Sequence, residues 1–246
     1  MSEIFDAHCH IIDPRFPLIA DHGYLPDPFT IADYRARTAG LGITGGAVVS
    51  GSFQGTDPGY LRTALAELGP GWVGVATLPA DASDKDITEL DRAGVRGVRF
   101  NLVRGNPDLA LVERQAMQAH DVAGWHAEFY LNSADLPELA ATLAKLPQVC
   151  IDHLGLSDDG LFHLLSAVDW GVRVKASGFG RVEVDVAEAL RTIHTVSPDA
   201  LMFGTDLPGT RAPRPFRYAD LDQLADAVGA DLPAVLCHNA RQWYRV

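Results

Sequence analysis

Residues 45–78 read GGAVVSGSFQGTDPGYLRTALAELGPGWVGVATL. The stretch opens on a short run, Gly45–Ser50, that is apolar on both faces, and closes on another, Trp72–Leu78. Between them come a polar, glycine-bearing turn and then Gly59–Leu68, where alanines and leucines return at helical spacing. A strand apolar on both faces suits a parallel sheet whose outside is covered by helices and whose inside is packed. The segment therefore reads as strand, helix, parallel strand.

Outward from it the same unit recurs. Further apolar, β-branched runs lie at Ile4–Ile11, Val95–Leu102, His126–Leu131, Val149–Leu154, Val172–Ala176 and Leu201–Thr205. Stretches of helical spacing alternate with them, at Ile31–Ala39, Lys85–Ala93, Leu109–Val122, Leu136–Leu146, Leu161–Val168, Val184–Val196 and Tyr218–Val228. This alternation predicts an α/β protein, a (β/α)8 TIM barrel, as a single domain over residues 1–246. The length of 246 residues is that of such a barrel. An open doubly wound sheet is the alternative, and it fits less well because no GxGxxG turn opens the first helix.

The net charge of −12 repels nucleic acid and anionic lipid, so neither a nucleic acid nor a membrane is expected as a partner. Cys9, Cys150 and Cys237 form no close pair and read as reduced, buried thiols of a cytoplasmic protein. The N-terminus lacks the pattern of a secretory signal, and no apolar run is long enough to span a bilayer. Two proline-bearing loops, 13–29 and 207–217, interrupt the rhythm after the first and last strands. In a barrel both fall on the C-terminal face, where active sites sit.

His8 and His10 stand two apart at the end of the first run, so alternation sends both to one face and Cys9 to the other. Two imidazoles at the mouth make a metal half-site, a polar catalytic pocket, or buried hydrogen-bonded histidines. His153 and Asp206 end the sixth and eighth runs, each before a glycine- or proline-bearing turn. In a closed barrel the first and eighth strands are neighbours, which brings Asp206 to the two histidines. By the same parity Arg99 and Lys175 face the interior, where each must be paired or meet a ligand. Tyr130 shares a face with Glu128, and Arg181 lies in the turn after the seventh run, open to solvent or to substrate. Arg211 and Arg214 read as solvated surface. No GxSxG elbow points to a serine hydrolase.

In order along the chain, FDAHCHIIDPRFP, GYLP, GVRGVRFNL, IDHLG, KASGFGR, MFGTDLP and HNARQWY resemble the amidohydrolase-related (amidohydrolase 2) branch of the amidohydrolase superfamily. Within it the likeness is to the TIM-barrel lactonases typified by the pyrone dicarboxylate and sugar lactonases. The resemblance implies that Asp206 is the general base on the attacking water, with His8, His10 and His153 around it. It implies that Arg99, Tyr24, Arg181 and Tyr130 hold substrate oxygens. The lactonases have a further arginine where this chain has Leu156 and another where it has Gly105, with Arg104 adjacent. That argues for a smaller or less charged substrate than a dicarboxylate.

The expected activity is hydrolysis of a lactone of a small carboxylated or hydroxylated compound. The expected partner is therefore a small anionic or polyhydroxylated molecule. No cofactor is required on this reading, or else one divalent metal ion held by His8, His10, His153 and Asp206, which the resemblance implies would be zinc. The same four residues would serve a metal-dependent non-oxidative decarboxylase, the alternative activity. A non-catalytic barrel that binds a small anion is the third reading.

Overall fold

The computed structural model describes residues 3–104 and 108–246, so the expectation attached to Gly105 lies outside the described residues. Eight strands run β1 (Ile4–Cys9), β2 (Ile43–Val49), β3 (Trp72–Ala76), β4 (Val95–Asn101), β5 (His126–Tyr130), β6 (Val149–Ile151), β7 (Arg173–Ala176) and β8 (Leu201–Phe203). Between and after them lie α1 (Ile31–Arg37), α2 (Gly59–Leu68), α3 (Asp84–Arg92), α4 (Leu109–Ala123), α5 (Leu136–Leu143), α6 (Leu161–Asp169), α7 (Val186–Val196), α8 (Ala219–Val228) and α9 (Asn239–Tyr244). The strands are parallel and ordered as in the sequence, which is the order of a barrel and not of a doubly wound sheet. The seam between β8 and β1 is joined past the strand ends. There the Asp206 N–H donates to the His8 carbonyl at 2.7 Å and the His10 N–H to that of Leu207 at 2.8 Å.

Local chemistry sets the helix ends. Thr30 and Ser83 cap α1 and α3, each exchanging hydrogen bonds with an aspartate three residues on. Gly124 closes α4 in the left-handed region. The side chains between sheet and helices, among them Val48, Ile87, Val98, Trp125, Leu164 and Ile193, form the larger core. A smaller inner cluster fills the barrel with Phe5, Ala7, Val73, Val75, Cys150 and Met202. It is plugged from below by α9, whose Tyr244 stacks on Phe5 at 5.5 Å and donates to the Ala7 carbonyl at 3.3 Å. The three cysteines are free and buried.

β1 does not alternate throughout. Phe5 and Ala7 belong to the inner cluster, yet His8 and His10 also face the interior, because the pairing with β2 slips between Asp6 and Cys9. Asp6 holds this irregularity. It is fully buried and accepts from the His8 N–H (3.2 Å), the Thr205 N–H (2.8 Å), the Thr205 hydroxyl (2.7 Å) and the Tyr34 hydroxyl (2.7 Å). Four donors compensate one buried carboxylate.

The sequence reading carries the sixth and eighth strands to Leu154 and Thr205, but pairing stops at Ile151 and Phe203. The reason is local. His153, Leu154 and Asp206 have φ of 51°, 53° and 56°, a left-handed conformation that no strand continues through. Such strain in non-glycine residues gathers at functional sites. Glycines make room at two places: a Cβ at Gly178 would stand 2.7 Å from His153 Nδ1, and one at Gly204 2.7 Å from the His8 main-chain nitrogen.

Candidate active site

The strand ends deliver three imidazoles and one carboxylate to a single point in the barrel mouth. Asp206 Oδ1 lies 3.9 Å from His8 Nε2, 3.8 Å from His10 Nε2 and 3.8 Å from His153 Nε2. All four side chains are buried. Asp206 Oδ1 and His8 Nε2 have no hydrogen-bond partner among the described residues. The other carboxylate oxygen, Oδ2, is clamped by Arg181, from Nε at 2.8 Å and Nη2 at 2.6 Å.

The rings are oriented from behind. His10 Nδ1 is 2.8 Å from the Val49 carbonyl, which only accepts, so Nδ1 carries the proton and Nε2 offers a lone pair to the site. His153 Nδ1 meets the Ser177 hydroxyl at 2.9 Å. His8 Nδ1 stands between Asp152 Oδ1 at 3.2 Å and Lys175 Nζ at 3.3 Å. Burial keeps all three rings neutral. It lowers His10 to about 3, with the Arg99 charge adding to the effect, and holds His8 and His153 well below the usual histidine range. Burial also raises the Asp206 carboxyl to about 6, against the pull of Arg181.

Beneath His8 lies a second set of charges. Lys175 Nζ is 2.5 Å from Glu128 Oε2 and 3.6 Å from Asp152 Oδ1. Arg99 donates to Asp152 Oδ2 at 2.9 Å and to the Ser50 carbonyl at 2.6 Å. Burial alone would lower Lys175; the Glu128 and Asp152 carboxylates outweigh it and hold the ammonium above its ordinary pKa.

The cavity above the four residues is lined by His10, His153, Arg99, Arg104, Arg181 and Arg211, with Ser52, Asn101 and Tyr130. Among the residues named from sequence, Arg99, Arg181 and Tyr130 stand on this wall. Lys175 does not: it is fully buried a layer below. Tyr24 does not either: its ring lies 4.3 Å under the Arg211 guanidinium. Arg211 is corrected the other way. Expected at the solvated surface, it lines the cavity because the loop after β8 folds back over the mouth. Arg214 grips Asp220 at 2.8 and 2.9 Å.

Sequence reasoning missed Asp152, Asp6, Ser52 and Asp21. For Asp152 a signal existed, since it shares parity with the interior residue Cys150. For Asp6 the signal misled, since plain alternation would put it beside His8. Two groups of side chains offer metal-ligating atoms close together, His8 with His153 and Asp206, and His8 with Glu128 and Asp152. In the second, Lys175 already supplies the cation. In the first, His10 Nε2 also stands 3.8 Å from Asp206 Oδ1, which makes a third histidine of the set. Three imidazole nitrogens and one carboxylate oxygen are a donor set that fits a divalent cation.

Residues 5–246 match the family model described as amidohydrolase. The chain belongs to the amidohydrolase family. It is 31% identical over 231 residues to the 2-pyrone-4,6-dicarboxylate hydrolase of Comamonas testosteroni, an overlap of 82% of this chain and 76% of that one. It is 24% identical over 233 residues to the 4-sulfomuconolactone hydrolase of Hydrogenophaga intermedia, with 83% and 74% covered. The fold is shared with a crystal structure of a probable 2-pyrone-4,6-dicarboxylic acid hydrolase from Acinetobacter baumannii with citric acid bound. The TM-score is 0.87 at 21% identity, over 99% of this chain and 100% of the other. This member of the amidohydrolase family is thus a hydrolase. No helix among the described residues is long and apolar enough to cross a membrane.

Proposed function

We propose that the chain opens a small carboxylated lactone with water activated by Asp206. The observation that carries this reading is the state of one carboxylate. Asp206 has one oxygen tied to Arg181 and the other unpartnered, buried, and facing three neutral imidazoles. A carboxyl raised to about 6 is ionised at neutral pH yet basic enough to take a proton from water. In the forward step the proton passes from water to Asp206 Oδ1 as the water oxygen bonds to the lactone carbonyl carbon. When the ring C–O bond breaks, Asp206 returns that proton to the leaving oxygen. Arg181 fixes the carboxylate so that Oδ1 is the oxygen presented.

The guanidiniums of Arg99 and Arg181 suit a planar carboxylate on the substrate, and Tyr130, over which Arg99 lies at 5.6 Å, forms the adjoining wall. His10 cannot donate to a carbonyl oxygen, because its one proton is committed to Val49. It can only offer its lone pair, as a ligand does. His8, His10, His153 and Asp206 would hold one divalent cation, with zinc favoured by a nitrogen-rich donor set. Such an ion, when bound, supplies Lewis acidity to the carbonyl and lowers the pKa of water. The relatives named above act by name on cyclic esters, which supports the lactone reading over decarboxylation by the same four residues.

The test is a panel of five- and six-membered lactones bearing one carboxylate, followed by acid release. Turnover of at least one member is expected, and Asp206→Asn should reduce kcat by about 10³-fold while keeping the fold. Release of CO2 from unsaturated acids, with every lactone inert, would replace the lactone reading with the decarboxylase. Full activity in Asp206→Asn would remove the base assignment.

A further inference from the structure

We propose that Asp21 is a specificity residue: an internal carboxylate seated on anion-binding groups of the mouth, which makes the pocket take one substrate carboxylate and exclude a second. Asp21 lies in the loop after β1. Its Oδ2 accepts from the Ser52 hydroxyl at 2.6 Å, from Arg211 Nη2 at 3.2 Å and from Arg104 Nη1 at 3.4 Å. Its main-chain oxygen accepts from Arg211 as well. The three donors come from the loops after β2, β4 and β8, and all three side chains line the active-site cavity. A hydroxyl and two guanidiniums converging on one point are what a protein builds for the carboxylate of a ligand. Here the protein supplies that carboxylate itself.

The position is built and not incidental. Asp21 and Tyr24 exchange main-chain hydrogen bonds at 3.1 and 3.0 Å, a tight turn that delivers the aspartate. The same turn lays the Tyr24 ring against Arg211, so the arginine is held from two sides. The Asp21 side chain is 14% exposed, and the remaining oxygen, Oδ1, rests on His22 Nδ1 at 2.8 Å.

Charge counting gives the consequence. Four arginines line the mouth. Arg99 is engaged by Asp152 and Arg181 by Asp206, while Arg104 and Arg211 share Asp21. Below them Lys175 and Glu128 cancel. Among these described residues the cations exceed the anions by one, which matches one substrate carboxylate. Removing the Asp21 charge raises the surplus by one and frees two guanidiniums. A cation bound at Asp206 would change the total but not the difference that Asp21 makes. With Asp21 in place, a second carboxylate would enter a half-buried mouth against a like charge on the same donors, where screening is weak.

The inference rests on the lactone reading only for what the carboxylate is attached to, so its test uses unreactive anions. Binding of benzoate and of isophthalate is measured by calorimetry to the wild type and to Asp21→Asn. Isophthalate is expected to tighten by about tenfold in the variant, the worth of one charge-assisted pair, and benzoate by less than about threefold. Adding Arg211→Gln to Asp21→Asn should abolish the isophthalate gain. Ser52→Ala, which removes the shortest bond to the Asp21 carboxylate, should give a smaller gain in the same direction and serves if Asp21→Asn does not fold. Equal tightening of both anions, or no tightening of isophthalate, would overturn the proposal. Inert lactones together with the expected anion binding would remove the activity and leave the role of Asp21 standing.

Discussion

Two sets of buried charge meet at His8, one below the ring and one above it. Below, Lys175, Arg99, Glu128 and Asp152 each have an opposite charge within 4 Å. Above, Asp206 Oδ1 faces only neutral imidazoles, at 3.8–3.9 Å, and its one counterion, Arg181, sits on the other oxygen. The side chains of both sets are buried except that of Arg181, which is 10% exposed. The lower set is neutralised within itself and holds His8 in place. The upper set is left short of partners, which costs stability and is the arrangement that the proposed base, Asp206, requires.

The largest expected effect tests the lower set. Lys175→Met leaves Glu128 buried without its nearest cation. Unfolding free energy in urea should fall by about 3–5 kcal/mol, and pairing the change with Glu128→Leu should restore most of it. The contrast breaks if Lys175→Met keeps full stability and yet abolishes turnover, because Lys175 would then belong to the chemistry.

The second effect is a matter of pH, and the two sets should respond oppositely. The Asp206 pKa is raised, to about 6, by burial. The base works ionised, so kcat/KM should fall about tenfold per unit as pH drops below about 6. Stability runs the other way. A raised folded pKa contributes stability that is fully present below the unfolded value, near 3.9, and is lost as pH rises through about 6. For Asp152 burial acts to raise the pKa, but His8, Arg99 and Lys175 outweigh it and hold the carboxyl well below the usual range. Its contribution is present above the ordinary carboxylate pKa and is lost only in stronger acid. Between pH 4 and 6, then, Asp206 should titrate while Asp152 stays ionised, with activity rising while the Asp206 part of stability declines. A midpoint near 6 that moves upward on chelation would reveal a cation on Asp206. A flat profile across this range would remove Asp206 as the base.

The same division marks what could be read from the chain. The barrel was legible because its strands and helices differ in period, and every apolar run meets a strand. His8, His10, His153 and Asp206 were legible as candidates because each stands at the end of such a run. Their aim was not. It depends on the slip in β1 that Asp6 holds, and on left-handed turns at His153 and Asp206 that no alternation rule encodes. The lower set is made of pairs far apart in sequence, such as Arg99 with Asp152, and becomes a set only once the barrel closes. Arg211 was misjudged for a related reason: a proline-bearing loop has no period from which its course can be derived.

Tyr24 carries the smallest effect and separates two ways for a residue to matter at the mouth. The family resemblance implies that it touches substrate oxygen, which would need its hydroxyl. The geometry gives its ring another task, as the face on which Arg211 rests at 4.3 Å. A cation–π contact at a partly exposed site contributes about 0.5–1 kcal/mol, so Tyr24→Ala should raise KM by about two- to fivefold and leave kcat unchanged. Tyr24→Phe keeps the ring and should match the wild type within about twofold in KM on the same grounds. If Phe is as damaging as Ala, the hydroxyl is a substrate contact and the loop after β1 reaches further into the mouth than its pairing with Arg211 implies. If Phe is silent and Ala is not, Tyr24 acts through Arg211. The loop then shapes the pocket by positioning charge, and leaves the proposed proton chemistry to Asp206.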